Sequence, residues 1–464
     1  MNFRVKHIEL RSLKRISVAL FFLSLISCAS QEASNTSYAI SGTVYNYYNT
    51  GIPNTKIYYG LTDYVTTNAQ GQFSIENLIG SITLQPQDPV YTFAPTTKTV
   101  TQASNGLYFY GAPVSLENPN TIAVYQWFSQ MQLPNGLLES SENSNSVSLY
   151  DNALAALVFT AKGDKLKAEK IFNFFTSKMS SELDAGTGGF AQFRTAAGLP
   201  FGPRWMGDNC WLLIALNTYA TTFNSTTYST LQSHLASWIR SLQNPNGSLN
   251  AGYDANGLLN FQVTEGMIDA YNAVLGYDTF HSQLLAYLKQ NRWSTAQKYM
   301  ISYPNNYYQY ALDNFSWAYS AFEDFPVPTL QSSVSLFGTT KPATATAVSV
   351  TGFCFDIDKD TVWYEGTGQM VVAYQKAGLT TQGNYYLGEM EKGIVSSTLY
   401  PNAKGLPYAS TMGTGYTDGL LWGGADTKPV VSSSAWYLFG QWHFDPMAVG
   451  YPKNAPQADK FWMN

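Results

Sequence analysis

One short pattern recurs six times along this chain of 464 residues, and it limits the fold more than any other feature. The copies are Leu149-Tyr-Asp-Asn-Ala-Leu-Ala-Ala-Leu157, Met206-Gly-Asp-Asn-Cys-Trp211, Val263-Thr-Glu-Gly-Met-Ile-Asp-Ala-Tyr271, Ala311-Leu-Asp-Asn-Phe-Ser-Trp317, Trp363-Tyr-Glu-Gly-Thr-Gly-Gln369 and Val431-Ser-Ser-Ser-Ala-Trp436. Five carry an acid near their start (Asp151, Asp208, Glu265, Asp313, Glu365), and the sixth carries serines, with Ser434 at its key position. Those positions are 57, 57, 48, 52 and 69 residues apart. Each segment is apolar nearly all round, so as a helix it is buried on every side. Between the copies lie amphipathic stretches such as 164–175 and 228–239. Gly163 is the expected helix stop before the first, and Asp164 its expected cap. A buried inner helix, a loop and an amphipathic outer helix, six times over, predict a mainly α double ring of αα-hairpins over residues 119–464.

The preceding stretch has a different period. Residues 38–117 alternate apolar and polar positions, as in Ile40-Ser-Gly-Thr-Val-Tyr45 and Gln72-Phe-Ser-Ile75, between turns at Asn49-Thr-Gly51, Asn68-Ala-Gln-Gly71 and Asn105-Gly106. Short strands at that spacing predict a small all-β sandwich. Ser41-Gly-Thr-Val44, Pro53 and Thr67-Asn-Ala-Gln-Gly-Gln-Phe73 resemble the carboxypeptidase-regulatory-like (transthyretin-like) sandwich. It holds no catalytic cluster, which leaves a spacer or an accessory binding module, the spacer being favoured.

The first 27 residues read as an export signal. Arg4, Lys6, Arg11, Lys14 and Arg15 precede an apolar run, Ile16 to Ile26, too short to span a bilayer. Leu25-Ile26-Ser27-Cys28 resembles the bacterial lipobox, which implies lipid on Cys28 and a membrane anchor. Residues 28–37 then form a polar tether. No Asp follows Cys28, so the outer membrane or cell surface is the expected address. Removing the signal, with five bases and one acid, takes the formal charge from −5 to −9. That balance argues against nucleic acid as a partner. Cys210 and Cys354 remain, either as a pair or as two buried thiols, the second being expected. His234, His281 and His443 are too few and too scattered to imply a metal site.

The repeated Tyr-Asp-Asn-Ala, Gly-Asp-Asn-Cys-Trp and Trp-Tyr-Glu-Gly-Thr-Gly-Gln segments resemble the six-hairpin glycosidase superfamily, the (α/α)6 toroid. The resemblance implies that sugars bind in a funnel at the N-terminal ends of the inner helices. It also implies inversion, with acid and base roughly 6.5–9.5 Å apart. The residues themselves allow two readings: each acid is a helix cap, or the five converge on one mouth and shift each other's pKa values. On the second reading Glu365 is the expected general acid, its pKa raised by Trp363 and Tyr364. The glycines that follow it would let substrate approach. Asp208 and Glu265 are the expected bases, then Asp151 and Asp313. Trp205, Trp363, Tyr364, Tyr408 and Trp422 are expected to stack on sugar. Arg204 is the one cation placed to meet a carboxylate. Asp356, Asp358 and Asp360 alternate in the manner of a calcium loop, but Thr361 stands where an EF-hand needs Gly, so the choice is a looser calcium site or a solvated acidic loop. No other cofactor is expected. A glycoside hydrolase is the leading reading. A polysaccharide lyase or sugar epimerase on the same toroid, or a non-catalytic glycan-binding lipoprotein, are the rivals. Oligomeric state is not legible.

Overall fold

The computed structural model describes residues 37–46, 50–114, 117–304, 309–413, 424–448 and 453–463. The signal segment, Cys28, nearly all of the tether and Trp422 lie outside them.

Eight strands come first. They are β1 (Tyr38–Asn46), β2 (Lys56–Tyr58), β3 (Tyr64–Thr66), β4 (Gln72–Leu78), β5 (Ile82–Gln87), β6 (Tyr91–Ala94), β7 (Lys98–Val100) and β8 (Ser104–Pro113). They form two four-stranded sheets, ordered β4-β1-β8-β6 and β3-β2-β5-β7. Alternate side chains from both sheets, among them Ile40, Val44, Phe73 and Phe109 from one and Ile57, Leu84 and Val100 from the other, share one apolar cluster. The pleat period of two puts these residues on the inner faces. The turn into β4 is made by Asn68, whose Oδ1 accepts from the backbone N–H groups of Gln70 and Gln72, both at 2.9 Å. Gly71 follows at φ 72°, and a Cβ there would lie 2.4 Å from the Val44 carbonyl, so only glycine fits.

Twelve α-helices follow among the described residues. Six are inner: α2 (Leu149–Lys162), α4 (Met206–Phe223), α6 (Thr264–Ala273), α8 (Asp313–Ala321), α10 (Tyr364–Lys376) and α12 (Val431–Trp442). Each packs on the next, and α12 packs back on α2, so the ring is closed. The outer helices α3 (Lys165–Lys178), α5 (Ser229–Ser241), α7 (Thr279–Asn291), α9 (Pro328–Phe337) and α11 (Thr380–Glu391) each follow and cover their inner partner. The sixth outer helix is α1 (Pro119–Met131), which covers α12. The strict inner-then-outer order expected from the repeats therefore fails once. Among the described residues, the chain after α12 carries only short 3-10 turns, and the first helix of the chain fills the gap. The result is an (α/α)6 toroid.

The helices form for local reasons. Ser148 Oγ accepts from the Asp151 N–H and caps α2, and Gly163 at φ 84° ends it. On α5 the buried residues are Leu231, Leu235, Trp238 and Ile239, an i, i+4, i+7, i+8 stripe. Asp164 stands at the N-cap position of α3 but makes no cap bond. Its carboxylate accepts instead from the Tyr125 hydroxyl of α1.

The strands dock at one end of the toroid. Tyr110 of β8 belongs to the main helical core, and Tyr45, Tyr108 and Ala112 pack against it. The groove beside this contact is lined by Ala161 and Lys162 at the C-terminal end of α2, and by Trp442 at the end of α12. Tyr38 of β1 sits at the other end of the two sheets, since β8 begins beside Ile40 and reaches Asn46 only at Gly111.

Candidate active site

The opposite end of the toroid collects the acids. Asp151, Asp208, Glu265, Asp313 and Glu365 stand in the first turns of α2, α4, α6, α8 and α10. All five line one cavity of about 460 Å³, a size suited to a small ligand. None is the side-chain cap of its helix. Ser148 caps α2, and α4, α6, α8 and α10 have no side-chain cap bond. Capping therefore does not account for the acids. In the sixth unit Ser432 faces the cavity, whereas Ser434 turns away to accept from the Leu406 N–H at 2.9 Å.

A sixth carboxylate, Asp269, also lines the cavity. It was not anticipated, yet it lies one turn after Glu265 on the same face of α6, and that i, i+4 spacing was its signal. Trp317 stands in the same relation to Asp313, and both line the cavity. No Lys, Arg or His is among the described residues lining the cavity.

The carboxylates have distinct surroundings. Glu365 Oε1 accepts from the Tyr150 hydroxyl at 2.6 Å, and that hydroxyl accepts from Trp436 Nε1 at 3.1 Å. Glu265 Oε1 accepts from Ser302 Oγ at 2.7 Å. Asp208 Oδ2 accepts from Gln192 Nε2 at 3.3 Å. Burial raises the Asp151 carboxyl to about 7. Burial, reinforced by the Asp151 charge, raises Asp208 to about 7. Burial also lifts Glu365 to about 7, against the pull of hydroxyl donors on Tyr150 and Ser432. Asp313 goes well above the usual range through burial and the charges of Glu265 and Glu365. Asp269 does the same through burial and the charges of Asp313, Glu265 and Asp208. Desolvation without a counter-ion is the common cause.

Aromatic rings wall the cavity. Trp205, Trp363 and Tyr408 are there, with Trp205 tilted 5.6 Å from Phe261 and Trp363 tilted 6.2 Å from Tyr408. Tyr150, Trp211 and Trp317 form a mutually packed group, with ring centroids 5.2–6.4 Å apart.

Three expectations fail on orientation. Arg204 points its guanidinium at the backbone carbonyls of Gly189 and Glu182, away from the carboxylates. Its strand pairing with Tyr253 presents alternate side chains to opposite faces, and Trp205 takes the inward one. Tyr364 is fully buried in the main core, packed so close to Gly393 that a Cβ there would lie 2.2 Å from its hydroxyl. Gly366 and Gly368 serve packing rather than substrate. A Cβ on Gly366 would strike the Trp363 ring at 2.2 Å, and one on Gly368 would lie 2.7 Å from Trp436 Cβ, so Gly368 lets α10 and α12 approach.

Cys210 and Cys354 are both buried free thiols. Cys354 Sγ lies 3.8, 3.5 and 3.6 Å from Asp356, Asp358 and Asp360. Cys354, Asp356 and Asp358 bring ligand atoms within 4.8 Å of one another. A central sulfur suits calcium poorly, since that ion takes oxygen ligands.

No family model matches the sequence, and no curated protein matches it. Solved structures do match in fold. A glycosidase variant superposes with a TM-score of 0.53 at 9% identity, covering 72% of this chain and 98% of its own. A glycosidase variant in complex with glucose gives 0.52 at 9% identity, with the same coverage. At that identity the likeness is one of architecture: this chain has the toroid fold of those glycosidases.

Proposed function

We propose that this chain is a glycosidase acting on an oligo- or polysaccharide outside the cytoplasm, by inversion. The observation that carries this is the convergence of six carboxylates on one aromatic-walled cavity whose described lining residues include no Lys, Arg or His. The names of the two solved glycosidases, one bound to glucose, support it.

Glycoside cleavage needs one ionised and one protonated carboxyl group. Burial lifts Glu365 to about 7, within reach of the ionised form near neutrality, and the donors on Tyr150 and Ser432 favour that form. Glu365 therefore serves better as the base than as the acid its sequence context suggested. It takes a proton from water as the water oxygen attacks the anomeric carbon. Burial and the charges of Glu265 and Glu365 push the Asp313 carboxyl up, the direction a general acid needs. It gives its proton to the leaving oxygen as the glycosidic bond breaks. Trp205, Trp363 and Tyr408 stack on the sugar faces.

A lipid on Cys28 would suit this arrangement. Tyr38 lies at the end of the sheets away from the toroid, and the sheets dock at the end opposite the mouth. A lipid at the N-terminus would leave the mouth facing outward.

A glycan panel tests the reading, scored for new reducing ends and for unsaturated products. Hydrolysis gives reducing ends, and Glu365→Gln should lower it by a factor on the order of 10²–10⁴. Unsaturated products would transfer the assignment to a lyase. Unchanged cleavage by Glu365→Gln would remove Glu365 from the mechanism.

A further inference from the structure

One rim of the cavity continues outward on a small sheet. Strands β9 (Val147–Ser148), β10 (Phe193–Arg194) and β11 (Pro200–Phe201) lie side by side in the order β11-β10-β9. Phe193 is paired with Ser148 on one side and with Phe201 on the other. Directly opposed residues of antiparallel strands point to the same face. Ser148 and Phe193 both line the cavity, so the row they begin leads out of it to Phe201. Two strand spacings, about 10 Å, separate the ends of that row.

The other face of the sheet is tied down. Val147 and Arg194 are opposed there, and Val147 is buried in the main core. The Arg194 guanidinium is buried against Glu182 and lies 5.4 Å from the ring centres of Phe174 and Phe175. In the turn between β10 and β11, the Thr195 N–H donates to the Leu199 carbonyl at 3.0 Å. Asn145 Oδ1 accepts from the Ala196 N–H, also at 3.0 Å. That bond joins the turn to the loop that brings Ser144 and Ser146 to the cavity. The hairpin is held by contacts that do not involve Phe201.

Phe201 is 47% exposed, and Leu199, two residues earlier, is 66% exposed. A lone exposed apolar residue needs no explanation. The position of this one does. The Phe201 ring stacks on Phe193, with centroids 5.8 Å apart and planes 22° from parallel. A cavity-lining ring and a solvent-facing ring thus form one platform, fixed from behind.

We propose that Phe193 and Phe201 form an outer subsite on which a glycan chain continues after it leaves the cavity, so that the substrate is a chain of several sugar units. The inference rests on the glycosidase reading for the guest being a glycan, and on the hairpin alone for the direction and length of that guest. The platform is continuous with the cavity wall, so a guest longer than the cavity passes over Phe193 first and Phe201 next. A sugar ring brings a flat C–H face to the aromatic rings. Its hydroxyl edges meet Ser144 and Ser146 at the inner end of the row. A substrate confined to the cavity would leave Phe201 untouched.

The test uses the mature protein and five series of oligosaccharides, cello-, malto-, laminari-, manno- and xylo-, each from dimer to hexamer. The readout is kcat/KM where a series is cleaved, and Kd by calorimetry where it is only bound. In at least one series the longest member should surpass the dimer by about ten-fold or more, the size of one favourable ring contact. Phe201→Ala should cut that ratio below about three-fold, and Phe201→Trp should restore it. Phe201→Gln should act as Phe201→Ala does if the alanine variant does not fold. A ratio near one in every series, a ratio that survives in the folded variants, or no cleavage and no binding in any series overturns the proposal. So does a dimer of the protein in sedimentation that Phe201→Ala dissolves, which would give this face to a second copy of the chain. Failure of the glycosidase reading looks different. Cleavage indifferent to chain length sinks this inference and leaves the glycosidase. Length-dependent binding that needs Phe201, with no series cleaved, does the reverse.

Discussion

Two sets of carboxylates are buried in the same toroid, and their surroundings are opposite. Glu142 is 1% exposed. Its oxygens accept from Trp127 Nε1 at 2.9 Å, the Thr398 N–H at 3.0 Å, and the hydroxyls of Ser397 and Thr398. Burial pushes its carboxyl up, but those donors outweigh burial and hold it below the usual range. Glu182 is as deeply buried and is paired with Arg194, whose Nη1 donates to Oε1 at 2.8 Å. Asp208, Asp269 and Asp313 have burial of the same degree but no cation beside them in the cavity lining. Glu142 fastens the loop at Thr398 to α1, and Glu182 fastens the turn after α3 to the strand segment that carries Arg194. The raised pKa values of Asp151, Asp208, Asp269, Asp313 and Glu365 mark a site built for a guest.

The largest effect should come from breaking a fastened pair. Arg194→Met removes the partner and leaves Glu182 buried and uncompensated. Loss of a buried partner costs about 3–5 kcal/mol, so denaturant unfolding should show a drop of that size. A drop below about 1 kcal/mol would mean that Glu182 is neutralised some other way. Glu142→Gln is gentler, because it keeps the shape and loses charge-assisted bonds. It should cost about 2 kcal/mol.

Asp208→Asn should act in the other direction. The Asp208 carboxyl is pushed up to about 7 in the folded chain, from an ordinary value of 3.8. Between those values the folded chain keeps a proton that the unfolded chain has released. Stability therefore falls as pH rises from about 4 to about 7, and the whole penalty is present above that range. Asn carries no such penalty. The variant should be more stable than the parent at pH 8, by about 1 kcal/mol or more, and the gain should vanish toward pH 4. Glu142 has the opposite sign. Its contribution is present above the usual carboxylate range and is lost as pH falls. A pH-independent difference for Asp208→Asn would show that the acid is already paired.

The contrast between the two sets was only half legible in the sequence. The inner acids were found because they recur at one place in a repeated segment, and repetition reports position in a ring. The same logic missed Asp269, because only one repeat carries an acid a turn later. It chose Ser434 over Ser432 because a serine run offers no register. It read six inner helices but could not see that α1 closes the ring, since nothing in the repeat length says which chain end supplies the last outer helix. The fastened acids were invisible. Glu142 draws its donors from Trp127 and from residues some 255 positions away, and no local pattern records such a contact. Tyr364 sits beside Glu365 in sequence but a helical step rotates it into the outer ring. Tyr150, distant in sequence, is the ring that reaches Glu365.

Arg204 provides the smallest expected effect and the closest check on the contrast, because it is the cation that sequence placed nearest the mouth. Its guanidinium donates to the carbonyls of Gly189 and Glu182, so it braces the loop behind the strand that carries Trp205. Removing it should loosen that loop and shift Trp205 slightly. Arg204→Ala should then raise KM by less than about ten-fold and leave kcat nearly unchanged, the signature of lost ground-state positioning. The limb of the pH–rate profile set by Glu365 should not move. A kcat loss above about a hundred-fold, or a pH limb displaced by a unit, would mean that Arg204 swings in to pair with a cavity carboxylate. The mouth would then hold a counter-ion after all, and the line between its acids and the fastened ones would have to be redrawn.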